Sequence, residues 1–172
     1  MDWQTTSEDT VPSAPVTEAD VRLLRARPPA TGAWRDGDPV GGRRFAAFGA
    51  FTTESGAQLP GIRLAYESWG ELNAARDNAV LVLHALTGDS HVRGEAGAGH
   101  PTAGWWEDVV GPGAPLDTDE WFVIAPNMLG GCQGSTGPAS IAPDGYEWAS
   151  RFPYLTIRDQ VAAQVRLADA LG

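Results

Sequence analysis

The chain has 172 residues, 42% of them apolar and 20% charged, enough for one globular domain with a sizeable core. Twelve basic residues, all arginine, face 22 acidic ones for a net charge of −10, a balance that disfavours nucleic acid and anionic lipid as partners. The lone Cys132 cannot close an intrachain disulfide, and Asp2, Glu8 and Asp9 stand where a secretory leader would carry positive charge. With no apolar run near the ~18 residues of a membrane span, the expectation is a soluble cytoplasmic protein.

Residues 1 to 43 mix acidic stretches with Pro12, Pro15, Pro28, Pro29 and Pro39, and show only a weak helical period at Val21, Leu23 and Leu24. They read as a flexible leader ahead of a folded domain over 44–172. From Arg44 the texture changes to short apolar runs: Phe45 to Thr52, Ile62 to Trp69, Ala79 to His84 and Trp121 to Pro126. Each is a predicted strand. The first two alternate apolar and polar residues around Glu54-Ser55-Gly56, as an antiparallel hairpin does, while the third and fourth are continuously apolar, as in a parallel sheet covered on both faces.

Between those two strands, Trp105-Trp106 reads as the start of a short helix. Near the end, Thr156 and Asp159 have the spacing of a capping box. Behind them Val161, Ala162, Val165, Ala168 and Leu171 fall at helical spacing, so an amphipathic helix with that apolar face is predicted, ending at Gly172. The fold class is α/β.

Two segments could carry chemistry. His84-Ala85-Leu86-Thr87-Gly88-Asp89-Ser90-His91 follows a predicted parallel strand, on the sheet edge where α/β folds hold ligands and where backbone amides can stabilise an oxyanion. The plainer alternative is an ordinary Gly88-Asp89 turn with His84 satisfied in the core. The second segment, Gly130-Gly131-Cys132-Gln133-Gly134, has the nucleophile-elbow pattern with Cys for Ser, but it runs on into Pro138 and Pro143-Asp144-Gly145 rather than into a helix. It is therefore read as a tight loop beside a site. No serine sits in G-x-S-x-G, no lysine is present for a phosphate-binding Walker loop, and His84, His91, His100, Asp89 and Cys132 match no zinc spacing, so no metal is expected.

Leu64-Ala65-Tyr66-Glu67-Ser68-Trp69-Gly70, His84 to His91, Gly99-His100-Pro101-Thr102, Gly104-Trp105-Trp106, Gly111-Pro112-Gly113, Asn127 to Pro138, and Ser150 to Gln160 occur in the order seen in the homoserine O-acetyltransferase family. The chain resembles the amino-terminal part of that family from about Gly61 onward. The resemblance implies an incomplete α/β-hydrolase fold, an antiparallel hairpin leading into a parallel sheet and cut before the nucleophile-elbow strand. It also implies acetyl transfer from acetyl-CoA to the hydroxyl of L-homoserine through an acyl-serine, in methionine biosynthesis, with no separate cofactor and a homodimer when complete.

His84, Ala85, Leu86 and Thr87 match the segment that binds substrate, and Leu86 matches the residue whose backbone amide enters the oxyanion hole. The Ser, Asp and His of the triad are expected beyond Gly172, so the 172 residues alone are expected to be inactive and to leave a strand edge and a helix face bare. Succinyl-CoA as donor or serine as acceptor stays open within the same fold. So do a non-catalytic interaction module pairing through its bare edge and a hydrolase using Cys132.

Overall fold

The computed structural model describes residues 32–172; the weak helical period at Val21 to Leu24, and most of the expected leader, lie outside them. Where that leader overlaps the described chain, it is held by named contacts. The Trp34 amide donates to the Cys132 carbonyl at 2.8 Å, and Arg43 is buried.

Four strands form the main sheet: β1 (Arg44–Phe48), β4 (Ile62–Trp69), β8 (Phe122–Pro126) and β5 (Ala79–Leu81), in that spatial order. β1 runs antiparallel to β4, with Arg44 opposite Tyr66 and Phe48 opposite Ile62. The chain between them turns at Gly56, flanked by the two-residue strands β2 (Phe51–Thr52) and β3 (Gln58–Leu59). β4 is antiparallel to β8, and β8 is parallel to β5, so the sheet is mixed. Two further short strands, β6 (Val110–Gly111) and β7 (Leu116–Asp117), pair in parallel outside it. Trp105–Val109 forms a hydrogen-bonded turn in place of the expected helix, because the chain extends into β6 after one helix-like bond from the Val110 amide to the Trp106 carbonyl.

Side chains alternate across the sheet. Ile62, Leu64, Tyr66 and Ile124 point to one face, where Leu129, Ala163 and Leu167 meet them; Val123 and Ala125 point to the other, against Val82, Val92 and Val110. Burying one such Leu or Val is worth about 1.5–3 kcal/mol. On β4, Glu67 lies between Ala65 and Trp69 and so belongs to the second face.

Helix α1 (Ile157–Leu171) starts at Thr156 with the capping box that its sequence predicts: the Thr156 side chain accepts from the Asp159 amide and the Asp159 carboxylate accepts from the Thr156 amide. Its phase differs from the expectation. Ala163, Gln164 and Leu167 are the buried residues of its body, whereas Val161, Ala162, Val165 and Ala168 face outward and only Leu171 of the expected stripe is half-buried. The helix carries apolar residues on two sides, and the side that packs is the one holding Ala163 and Leu167, which join Leu64 and Ile124 in one buried cluster. β5 departs in the same way. It is an edge strand among the described residues, with Leu81 and Leu83 exposed, although its sequence reads as buried on both faces.

Candidate active-site loop and the buried polar network beneath it

The segment His84–His91 leaves β5 beside the carboxyl end of β8. Its tip is bare. Ala85, Leu86 and Thr87 are exposed, Leu86 completely so, and a turn closed by the Gly88 amide on the Ala85 carbonyl at 2.9 Å shapes it. A leucine with no packing partner contributes nothing to the core described here, so what its position offers is backbone. His84 stands half-buried at one foot of the loop. Its Nδ1 faces the Ala85 carbonyl at 2.8 Å, and its Nε2 receives the Met128 amide at 3.3 Å, which makes Nδ1 the protonated nitrogen.

The other foot is anchored in a buried polar network that sequence reasoning missed. Glu67, reaching across from β4, accepts a hydrogen bond from Ser90 Oγ at 2.9 Å and pairs with His91 Nδ1 at 3.1 Å. Ser90 is held twice more, its amide donating to Asn127 Oδ1 at 2.8 Å and its hydroxyl receiving Asn127 Nδ2 at 3.1 Å. Asp89 accepts the His91 amide and lies 3.6 Å from Arg43, whose guanidinium also donates to the Gly99 carbonyl and to Gln133. His100 stacks on His91 with ring centroids 3.7 Å apart, and its Nε2 accepts the Gly42 amide. The backbone at Gly41 has φ of 63°, and a Cβ there would sit 2.4 Å from the His100 ring, so the turn into Arg43 requires glycine.

Burial sets the electrostatics. It pushes the Glu67 carboxyl above its usual range, against the pull of the hydrogen bonds from His91 and Ser90 and of the Arg43 charge. It lowers His100 to about 4, with the Arg43 and His91 charges acting in the same direction, and so keeps that ring neutral. Arg43 is lowered too, chiefly by burial, with Asp89 and Glu67 opposing.

Ligand atoms of Glu67, His91 and His100 lie within 4.8 Å of one another, a proximity that no sequence spacing revealed. A shared cation fits them poorly. An imidazole coordinates in its own plane at about 2.0–2.1 Å, and two rings stacked 3.7 Å apart and inclined by only 9° have no common point at that distance in both planes. A neighbouring guanidinium already supplies the positive charge.

Among the described residues no Ser or Cys is hydrogen-bonded to a histidine. Ser90 and His91 both bind Glu67 rather than each other, and Ser135 Oγ is buried between the Ala65 amide and the Asn127 carbonyl. Cys132 is exposed on the loop after β8, which reaches no helix before the 3-10 turn Ala149–Arg151, so the strand-to-helix geometry of an elbow is absent there. A cavity of about 170 Å³ beside it is lined by Trp34, Arg63 and Glu147, and none of His84–Thr87 borders it. The glycines of this loop serve its folding: a Cβ on Gly137 would lie 2.3 Å from the Gly131 carbonyl oxygen.

No family model matches the chain. A homoserine O-acetyltransferase of Leifsonia xyli subsp. xyli is 68% identical over all 172 residues, which are 43% of that protein's length. One from Thermobifida fusca is 63% identical over 84% of this chain and 38% of its own. Among solved structures, esterase E22 superimposes with a TM-score of 0.69 at 36% identity, and the homoserine O-acetyltransferase from Bacillus anthracis with 0.67 at 32%, each over 76% of this chain and 37% and 36% of theirs. These neighbours are α/β-hydrolase-fold enzymes, and the chain spans less than half the length of the curated relatives it matches. The 172 residues are similar in sequence, from end to end, to a homoserine O-acetyltransferase, and 76% of them share the fold of the corresponding portion of a solved one.

Proposed function

We propose that these residues form the amino-terminal part of a homoserine O-acetyltransferase and supply one wall of its active site. The observation that carries this reading is the 68% identity to such an enzyme along the whole chain, the His84–Thr87 loop included. In the whole protein a serine from outside these 172 residues attacks the thioester carbonyl of acetyl-CoA, and the developing oxyanion takes a hydrogen bond from the Leu86 amide. Collapse of the tetrahedral intermediate breaks the C–S bond. CoA leaves as its thiol with a proton returned by the general acid. The L-homoserine hydroxyl then attacks the acyl-serine, yielding O-acetylhomoserine and free enzyme.

His84, Ala85 and Thr87 shape the approach to that carbonyl. The exposed edge of β5 and the outer stripe of α1 are the surfaces that the rest of the incomplete α/β-hydrolase fold would cover. The reading carries a cytoplasmic homodimer that uses acetyl-CoA as substrate and needs no further cofactor.

The test is CoA release by the whole protein with acetyl-CoA and L-homoserine, with the product identified by mass. Homoserine-dependent release of CoA and a product heavier than homoserine by one acetyl group are expected, with succinyl-CoA and L-serine the poorer donor and acceptor. Release that ignores homoserine would sink the proposal and favour ester hydrolysis, the second reading that the likeness to esterase E22 supports. The 172 residues alone should release no CoA, since no described nucleophile meets a histidine.

A further inference from the structure

The loop that would meet the thioester is a bare tip on two feet, and the foot nearer the core is held by a carboxylate. Ser90 is fully buried with its hydroxyl bound to Glu67, its amide to Asn127 at the end of β8, and its neighbour His91 bound to the second oxygen of the same carboxylate. Trp105 Nε1 closes over the arrangement by donating to the Asp89 carbonyl at 3.0 Å. Among the described residues, Glu67 is therefore the one side chain that ties two consecutive residues of the loop to the central strand β4. A glutamate is a costly choice for such a place: it is 4% exposed and needs partners to stay there. A residue that only filled space could be apolar. What a carboxylate adds is two acceptors in one plane, which set the rotation of the Ser90–His91 peptide and, through Gly88 and Asp89, the direction of the amides at the tip.

We infer that Glu67 is a positioning residue of the acyl-transfer reaction, holding the Leu86 amide in register with the oxyanion through Ser90 and His91. The inference rests on the reading of His84–Thr87 as the oxyanion loop. Glu67 touches no substrate; it acts through the loop. Displacing an oxyanion donor by about 1 Å costs on the order of a hundredfold in rate, so the effect belongs in kcat.

The whole protein carrying Glu67→Ala should show kcat lowered by about a hundredfold with the KM for acetyl-CoA changed less than about threefold. Glu67→Gln should recover to within about fivefold of the parent, because the amide oxygen still accepts from Ser90. Hydrogen exchange at the amides of 85–91 should quicken by about tenfold or more in Glu67→Ala while those of β4, β8 and α1 keep their rates. Unchanged kcat in a folded Glu67→Ala protein overturns the inference, as does unchanged exchange at 85–91. Should Glu67→Ala fail to fold, Ser90→Ala, which removes one hydroxyl, decides the matter: a kcat loss of about tenfold supports the role and a parental kcat refutes it. If the parent itself transfers no acetyl group, the functional reading fails, and the exchange measurement still settles whether Glu67 holds the loop.

Discussion

Two carboxylates, Asp159 and Glu67, are equally closed to solvent, each 4% exposed, and their protonation is driven in opposite directions. Burial alone would raise both. At Asp159 it is outweighed by the amides of Thr156 and Glu54, at 2.8 and 2.7 Å, and by the Thr156 hydroxyl, so the carboxyl is held below its ordinary range. At Glu67 the donors are the side chains of Ser90 and His91, with Arg43 nearby, and burial prevails. The difference lies in depth and in who donates: Glu67 sits beneath the loop on the second face of the sheet, where desolvation is strong, whereas Asp159 stands at a helix start near the surface. Backbone amides at a helix start are fixed dipoles that cost no side-chain ordering, and they favour the charged form. A hydroxyl and an imidazole must themselves be buried and oriented, which returns part of what they give.

The largest effect expected from breaking this contrast is at the helix. Asp159→Ala removes the acceptor for two amides and one hydroxyl at once, leaving the Thr156 and Glu54 amides without partners. A loss of about 2–3 kcal/mol is expected, seen as a lower urea midpoint at constant m-value. Asp159→Asn keeps an acceptor oxygen and should lose about half as much. Equal losses for the two substitutions would mean that the charge rather than the acceptor matters.

The same contrast explains what could be read from the chain. Asp159 was legible because its partners are local: Thr156 three residues earlier, ahead of a helical period, is a complete signal. Glu67 was not, because its partners Arg43, Ser90, His91 and His100 are 23 to 33 residues away along the chain: the pairing of β1 with β4 brings Arg43 beside it, and the strand order β4-β8-β5 brings the loop that carries Ser90 and His91. A faint signal was available. Ala65 and Trp69 flank Glu67 on one face of a strand whose other face carries Leu64 and Tyr66, a hint of burial that Arg63 on the Glu67 face obscures by giving it the alternation of a wet side. The helix phase and the exposure of β5 were illegible for another reason. An apolar run states a capacity for burial, and Leu81 and Val165 have that capacity with nothing in the described residues to meet it.

Acid sharpens the contrast next. His100 takes its proton near pH 4 when folded against 6.5 when unfolded, so the unfolded chain gains the proton first and stability declines as pH falls from 6.5 to about 4. Glu67 works the other way. Its folded pKa lies above 4.5, so protonation favours the folded state, and its contribution grows as pH falls through that raised value toward 4.5. The two slopes oppose each other inside one network. Glu67→Gln should therefore steepen the loss of stability between pH 6.5 and 4.5, and His100→Asn should flatten or reverse it, as followed by melting temperature across that range. Asp159 enters only below its ordinary 3.8, where the stability its depressed pKa confers is lost as pH falls through the folded value. Parallel profiles for Glu67→Gln and His100→Asn would show that the two groups do not titrate against each other.

The smallest expected effect concerns the helix that Asp159 starts. If the capping box and the inner face of Ala163 and Leu167 hold α1, the outer stripe of Ile157, Val161 and Val165 should contribute little within the 172 residues, being at least half exposed. Val165→Ala should change the urea stability of the chain by less than about 0.5 kcal/mol, since the better helix propensity of alanine offsets the small apolar area lost. In the whole protein, where the proposed remainder of the α/β-hydrolase fold covers this stripe, the same substitution leaves a void and should cost about 1 kcal/mol. A cost that is the same in both settings would mean that nothing packs on the outer face of α1, and the assignment of that face to the proposed remainder of the fold would have to be given up.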